Sequence, residues 1–258
     1  MEILQIRNAT IKVKYANKVF LIDPWLMKKD QLPGHPAAAN SHVSQPRVDL
    51  PISIEEIVKT DAVILTHYHL DHWDEIAAEN LDKNIPFFVQ DEEDSQKIQK
   101  FGFTNLRIVS DSGTEFEGIK IYKTYTQHGR REVVEDFCKQ INMPYDAMGV
   151  VLQAENHKTL YIAGDTIWCE EVKQAIDKFS PDVIVINACG AQAVIDGKKE
   201  RIIMDVEDVK QISSYAKNAK IIASYMDTIS HLTVTRDDIK NLKLHNVLVP
   251  ADNETLKF

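Results

Sequence analysis

Thr66-His67-Tyr68-His69-Leu70-Asp71-His72 packs three imidazoles and a carboxylate into positions 67 to 72, directly after the apolar run Ala62-Val63-Ile64-Leu65. Imidazole nitrogen and carboxylate oxygen are the donors that first-row divalent ions accept, so the segment reads as the start of a metal site. In an extended chain His67 and His69 point the same way, whereas Asp71 and His72 wrap round from the following turn to a second position. One segment can therefore feed two adjacent ions. A lone histidine would mean little, since most buried histidines only complete a core hydrogen bond. Four such groups at one strand end are different: their desolvation and mutual repulsion need an ion or a wet cleft to offset them.

The surrounding pattern supplies strands to hold that segment. Glu2-Arg7, Thr10-Tyr15 and Val19-Ile22 read as an opening strand meander that stops at Asp23-Pro24. From Trp25 to Pro51 the chain has four prolines and a glycine, His35 and His42, and little periodicity. It is too long for an ordinary connection, so residues 25–51 are expected to form a lid over the site. Beyond it, strands and helices alternate: helix near Ile54-Val58, strand Asp61-Leu65, helix Glu75-Leu81 capped by Asp74, strand Ile85-Val89, helix Asp91-Phe101 and strand Leu106-Val109. Strands Thr114-Phe116 and Ile119-Thr124 follow.

The second half repeats the scheme, with paired strands Met148-Leu152 and Thr159-Ala163, helix Glu170-Phe179 and strand Val183-Asn187. Helix Val206-Ala216, with Asp205 and Asp208 spaced for a reciprocal cap, leads to strand Lys220-Ser224. Thr235 and Asp238 repeat that spacing before Ile239-Leu242 and a last strand, Asn246-Val249. About a dozen strands and five or six helices, arranged sheet then helix in each half, suit a two-sheet α/β sandwich flanked by helices. Residues 1–258 are expected to make one domain.

Composition narrows the function. Thirty Lys and Arg against 39 Asp and Glu give a formal charge of -9, which argues against a general nucleic-acid surface. Cys138, Cys169 and Cys189 lack any Cys-x-x-Cys pair, so neither a disulfide scaffold nor a thiolate zinc site is expected. With no signal-like start and no apolar run near membrane-spanning length, a cytoplasmic protein is expected.

Leu21-Ile22-Asp23-Pro24, the His67 to His72 element, His128-Gly129, Gly164-Asp165-Thr166 and His231 together resemble the metallo-beta-lactamase fold hydrolases, in particular the branch that includes L-ascorbate-6-phosphate lactonase. The resemblance spans almost the whole chain. It is specific for the superfamily and weak for the substrate. It implies a four-layer αββα sandwich with two divalent metal ions at one edge, zinc first, manganese or iron as alternatives. His67, His69 and His128 would hold the first ion, Asp71, His72 and His231 the second, with Asp165 bridging. Asp71 would also orient the nucleophile or accept its proton. Asp23 is expected to support the site as an acceptor, not to bind metal.

The expectation is thus a dinuclear metal-dependent hydrolase acting on a small, anionic ester, lactone or phosphodiester. A phosphodiesterase or nuclease of the same fold, or a metal-stabilised binding protein without turnover, are the rivals. Arg130 and Arg131 could clamp an anion or merely start a solvated helix. Trp25, Trp73 and Trp168 each follow a site segment and could wall the cleft or pack in the core. The edge strand Glu2-Arg7 and the lid are both available for self-association.

Overall fold

The computed structural model describes residues 1–34, 40–141 and 144–258. His35 lies outside the described residues.

The chain opens with the antiparallel meander β1 (Glu2–Arg7), β2 (Thr10–Tyr15) and β3 (Lys18–Ile22). After α1 (Ile54–Ile57), the strands β4 (Ala62–Ile64), β5 (Phe87–Val89) and β6 (Leu106–Ile108) add in parallel, joined through α2 (Glu75–Asn80) and α3 (Glu92–Gln99). Next come β7 (Thr114–Phe116), β8 (Ile119–Tyr125), α4 (Arg131–Gln140), β9 (Met148–Gln153), β10 (Leu160–Ile162), α5 (Glu170–Phe179) and β11 (Val183–Asn187). A separate hairpin, β12 (Gln192–Ile195) and β13 (Lys198–Arg201), interrupts the sequence before α6 (Val206–Tyr215), β14 (Lys220–Ser224), α7 (Arg236–Asn241) and β15 (Val247–Leu248). Finally β16 (Thr255–Lys257) returns to pair with β1. The two large sheets run β16-β1-β2-β3-β4-β5-β6 and β15-β14-β11-β10-β9-β8-β7.

Alternation along the strands divides the core into layers. Phe20, Ile22, Ala62, Ile64 and Phe88 of the first sheet meet Ile121, Val150, Leu152, Ile162 and Val185 of the second. Their sequence neighbours face outward: Leu21, Val63 and Phe87 pack on Ala77, Ala78 and Ile98, whereas Val151, Tyr161 and Ile184 pack on Val172, Ile176 and Ile212. Helices therefore cover both outer faces, and the architecture is the αββα sandwich of the metallo-beta-lactamase fold.

The caps show where local sequence sets the boundaries. Asp74 accepts from Ala77 N at 2.7 Å as expected, and its other oxygen takes Leu26 N and Met27 N at 2.6 and 2.7 Å, tying α2 to the start of segment 25–51. Thr235 and Asp238 form the full reciprocal cap of α7. The cap expected between Asp205 and Asp208 is one-sided. Asp205 receives Glu207 N and Asp208 N, but the Asp208 carboxylate is drawn to Trp168 N at 3.2 Å and Arg201 at 3.3 Å.

Arg7, fully buried, holds the far side of segment 25–51 by donating to the carbonyls of Trp25, Met27 and Val48 at 2.9 to 3.0 Å. Three elements exceed the expected set, β12, β13 and β16, whereas α4 is the solvated helix that Arg130 and Arg131 could start. Trp25 and Trp73 are core residues and Trp168 meets Tyr215 edge to face, so none of the three tryptophans walls the cleft described below. Among the described residues, no helix is long and apolar enough to cross a membrane.

Candidate metal centre

The chemistry-bearing residues sit where strands end. Asp23 follows β3, Thr66 and His67 follow β4, Asp165 follows β10, and Asn187 closes β11, so parallel neighbours deliver them to one rim of the sandwich. His128 arrives three residues after β8. Gly164 makes the turn that aims Asp165 inward: its φ is +69°, and a Cβ there would lie 2.4 Å from the Met148 carbonyl oxygen. Only glycine fits without moving the backbone.

Each histidine of the core site has one ring nitrogen spent on the protein, which fixes its tautomer and leaves the other facing inward. His72 Nδ1 meets Asp23 Oδ2 at 2.9 Å, and His128 Nδ1 meets the Ile202 carbonyl at 3.0 Å. His69 Nε2 meets the Pro144 carbonyl at 2.9 Å. His67 Nδ1 lies 3.1 Å from Thr66 Oγ1, whose own proton goes to Asp23 Oδ2 at 2.8 Å. The hydrogen-bond network thus assigns donor protons to the outer nitrogens.

The inner nitrogens converge on one carboxylate oxygen. Asp165 Oδ2 is 3.2 Å from His72 Nε2, 3.7 Å from His128 Nε2 and 3.9 Å from His67 Nε2, while Asn187 donates to its Oδ1 at 2.6 Å. His67 Nε2 and His69 Nδ1 face each other at 2.9 Å. With both outer nitrogens already protonated, that contact sets lone pair against lone pair, a clash which a shared cation or an extra proton must relieve.

Two overlapping triads have donor atoms within 4.8 Å of one another: His67, His69, His128, and His67, His72, Asp165, all buried. These donors fit divalent ions by type, by spacing and by the outer partners that orient them, and the two clusters point to a di-metal site. The metal-dependent hydrolase reading follows from this donor set on this fold.

Asp71 and His231 stand beside these triads rather than within them. Asp71 receives the Tyr225 hydroxyl on Oδ2, and Asn8 donates to its main-chain carbonyl at 2.9 Å. His231 lines the same cavity as Asp71 and Asp165, and its charge bears on Asp71. Asp23 is the expected support, receiving Thr66 N at 2.7 Å, Thr66 Oγ1 and His72 Nδ1. Arg130 and Arg131 are half exposed and committed elsewhere, to Glu200 at 2.8 Å and Glu135 at 3.2 Å. Arg131 starts α4, and neither arginine lines the cavity. His42 is exposed.

Electrostatics follow from burying so much polarity. Burial, then the charges of His72, His69 and His128, push the His67 imidazolium well below its ordinary value. Burial likewise brings His69 down to about 4, His128 adding to it. Burial would lower His72 too, but Asp165 and Asp23 overturn that and hold it well above the usual range. His72 is therefore where a proton resides in the metal-free protein, and metal binding would release it. Burial acts to raise Asp165 and Asp71, yet His72 pulls both below the ordinary carboxylate range.

The cavity over the site, about 830 Å³, has His69, Asp71, His128, Asp165 and His231 at its polar end. Its walls are largely apolar: Tyr68, Leu70, Val134, Phe137, Ile141 and Ile202. Leu32, Pro33 and Gln45 from segment 25–51 complete it. Its two lysines are already paired, Lys97 with Glu93 at 2.8 Å and Lys139 with Glu135 at 3.0 Å.

Thr66, Asn187, Tyr225 and the carbonyls of Pro144 and Ile202 were not singled out in the sequence. Asn187 and Thr66 had a signal, each being a polar residue at the end of an otherwise apolar strand run. The carbonyls had none.

Comparison with known proteins agrees with this geometry. The chain belongs to the beta-lactamase superfamily, whose domain matches residues 18–223. Over the full length of both chains it is 40% identical to the UPF0173 protein YddR of Bacillus subtilis (strain 168). The isothiocyanate hydrolase from Delia radicum gut bacteria superposes with a TM-score of 0.92 at 39% identity, covering 100% of this chain and 99% of that one. A possible metal-dependent hydrolase from Veillonella parvula DSM 2008 gives 0.94 at 38% identity with the same coverage.

Proposed function

We propose that this chain is a dinuclear metal-dependent hydrolase of small, largely apolar electrophiles, with isothiocyanates as the substrate class. In this reading His67, His69 and His128 hold one ion, Asp71, His72 and His231 the other, and Asp165 serves both. Zinc is the first choice, manganese or iron the alternatives, because the donor set is imidazole and carboxylate without thiolate. Bound there, the ions would supply an acidic water as nucleophile and the positive charge that polarises the substrate's electrophilic bond.

The chain's own residues do the rest. Asp71, kept ionised by His72 and His231, is placed to accept a hydrogen bond from the nucleophilic water and orient it. Val134, Phe137 and Ile202 offer an apolar wall for the organic group, and Leu32, Pro33 and Gln45, from the described parts of segment 25–51, cover the cavity as a lid that excludes bulk water. Water added across the C=N bond of an isothiocyanate gives a thiocarbamic acid, which falls apart to an amine and carbonyl sulfide.

One observation carries the choice of substrate: the cavity leading to the metal donors is walled by apolar side chains, and its two lysines are occupied by acids. That weighs against the anionic ester, lactone or phosphodiester expected from sequence, and against the lactonase branch. The full-length likeness to an isothiocyanate hydrolase supports the same choice.

The test is a comparison of metal-loaded protein on an arylalkyl isothiocyanate, a phosphorylated sugar lactone and a phosphodiester. The reading expects the isothiocyanate to have the highest kcat/KM and chelation or Asp165→Asn to abolish its turnover. Preferred hydrolysis of either anionic substrate would overturn it.

A further inference from the structure

We propose that Tyr225 is a positioning residue for the second ion, acting through Asp71 and not on substrate; the inference rests on the dinuclear reading above. Tyr225 directly follows β14 with φ at +70°, in the left-handed region. A bulky aromatic is rarely found there unless its surroundings impose it.

Here the strand end is pinned, because Ser224 Oγ contacts Gln5 Oε1 at 2.6 Å and the Asn8 carbonyl at 3.0 Å. Turned this way, the Tyr225 ring is wholly buried and stacks on the His72 imidazole, with centroids 5.3 Å apart and planes at 30°. Its hydroxyl donates to Asp71 Oδ2 and lies 3.2 Å from His72 Nε2. One phenol thereby touches both neighbouring members of the proposed second ion's ligand set.

A phenol has a single proton, and the Asp71 carboxylate takes it. That bond fixes the carboxylate's rotation and leaves Oδ1 for an ion, while Asn8 Nδ2 holds the same residue by its main-chain carbonyl. Gripped at both ends, Asp71 cannot swing out into the cavity. The first triad, His67, His69 and His128, shares no hydrogen bond with this phenol among the described residues; its outer partners are Thr66, Pro144 and Ile202. The effect of removing the hydroxyl is therefore confined to one of the two ions.

Tyr225→Phe keeps the ring and its stacking and deletes only the hydroxyl. Chelator-stripped wild type and variant are titrated calorimetrically with zinc, with cobalt absorption as a second readout and melting of the stripped protein as a folding control. The expected result is one binding step unchanged and the other weakened about 10- to 100-fold, the usual effect of losing an outer-shell partner. Adding Tyr225→Phe to Asp71→Ala should give no further loss, since the phenol works through that carboxylate. Two unchanged steps, or two steps weakened alike, would overturn the proposal. Uptake of fewer than two ions by the wild type would overturn the dinuclear reading itself, and the role of Tyr225 with it.

Discussion

Replacing Asp23 by asparagine tests how the site is held while leaving every proposed ligand in place. The change is isosteric. Its Oδ1 still accepts Thr66 N, now at 2.7 Å. Where Oδ2 stood, an amide would point its hydrogens at Thr66 Oγ1 and His72 Nδ1, groups that sit 2.8 and 2.9 Å from the carboxylate. The threonine hydroxyl can rotate. His72 can only move its proton to Nε2, the nitrogen 3.2 Å from Asp165 Oδ2, and that removes the lone pair an ion needs.

A charge-assisted hydrogen bond of this kind contributes about 1.5–3 kcal/mol, and loss of an outer partner usually costs about 10- to 100-fold in metal affinity, or roughly 1.4–2.7 kcal/mol. Burial already pushes the Asp23 carboxyl up, so neutralising it relieves a desolvation cost. The metal-free fold should therefore lose no more than about 2 kcal/mol. Zinc titration of stripped Asp23→Asn, beside urea unfolding of the same samples, separates the two effects. Metal affinity unchanged within about threefold, with the fold intact, would refute the reasoning that outer hydrogen bonds set the tautomers.

Further outcomes follow from the same geometry. Gly164→Ala puts a Cβ 2.4 Å from the Met148 carbonyl oxygen at a left-handed φ that L side chains disfavour, and should destabilise the protein by roughly 2–4 kcal/mol in urea unfolding. Arg130→Ala and Arg131→Ala should leave kcat/KM within about threefold of wild type, because both guanidiniums are spent on surface ion pairs, and steady-state kinetics checks this. Metal-free protein should lose stability as pH falls from 6.5 toward 4. His69 titrates near 4 when folded and near 6.5 when unfolded, so the unfolded chain binds more protons in that window, and His67 is shifted the same way. His69→Gln should flatten that acid limb in denaturation curves taken across the range.

Much of the framework was legible because it is written in periodicity and strand-end polarity. The apolar runs 62–65, 160–163 and 183–186 predicted buried strands, and the polar residues just after them predicted a shared rim. The resemblance implied a supporting role for Asp23, and there it accepts from Thr66 N and meets His72 Nδ1. What escaped detection depends on contacts between distant segments. A solvated helix start was legible at Arg130 and Arg131, but Glu132, Glu135 and Asp136 masked the buried face of α4, where Val134 and Cys138 pack on Tyr145 and Ile195. The hairpin β12–β13 is mostly polar and half exposed, with no apolar alternation to mark it. Helix α4 supplies Val134 and Phe137 to the apolar wall, and Ala193 of the hairpin and Ile202 just after it adjoin them, so part of the cavity's character was hidden with these elements. Tyr225 looked like any residue beyond a buried strand, since only its left-handed turn brings it onto Asp71 and His72.

The central claim is that buried imidazoles and carboxylates far apart in sequence form one centre for two ions. Elemental analysis of protein purified without chelator, then dialysed against limiting zinc, measures this directly. Two equivalents per chain, falling to one or none in Asp165→Asn, is the predicted result. Metal content near zero in correctly folded wild type would contradict it.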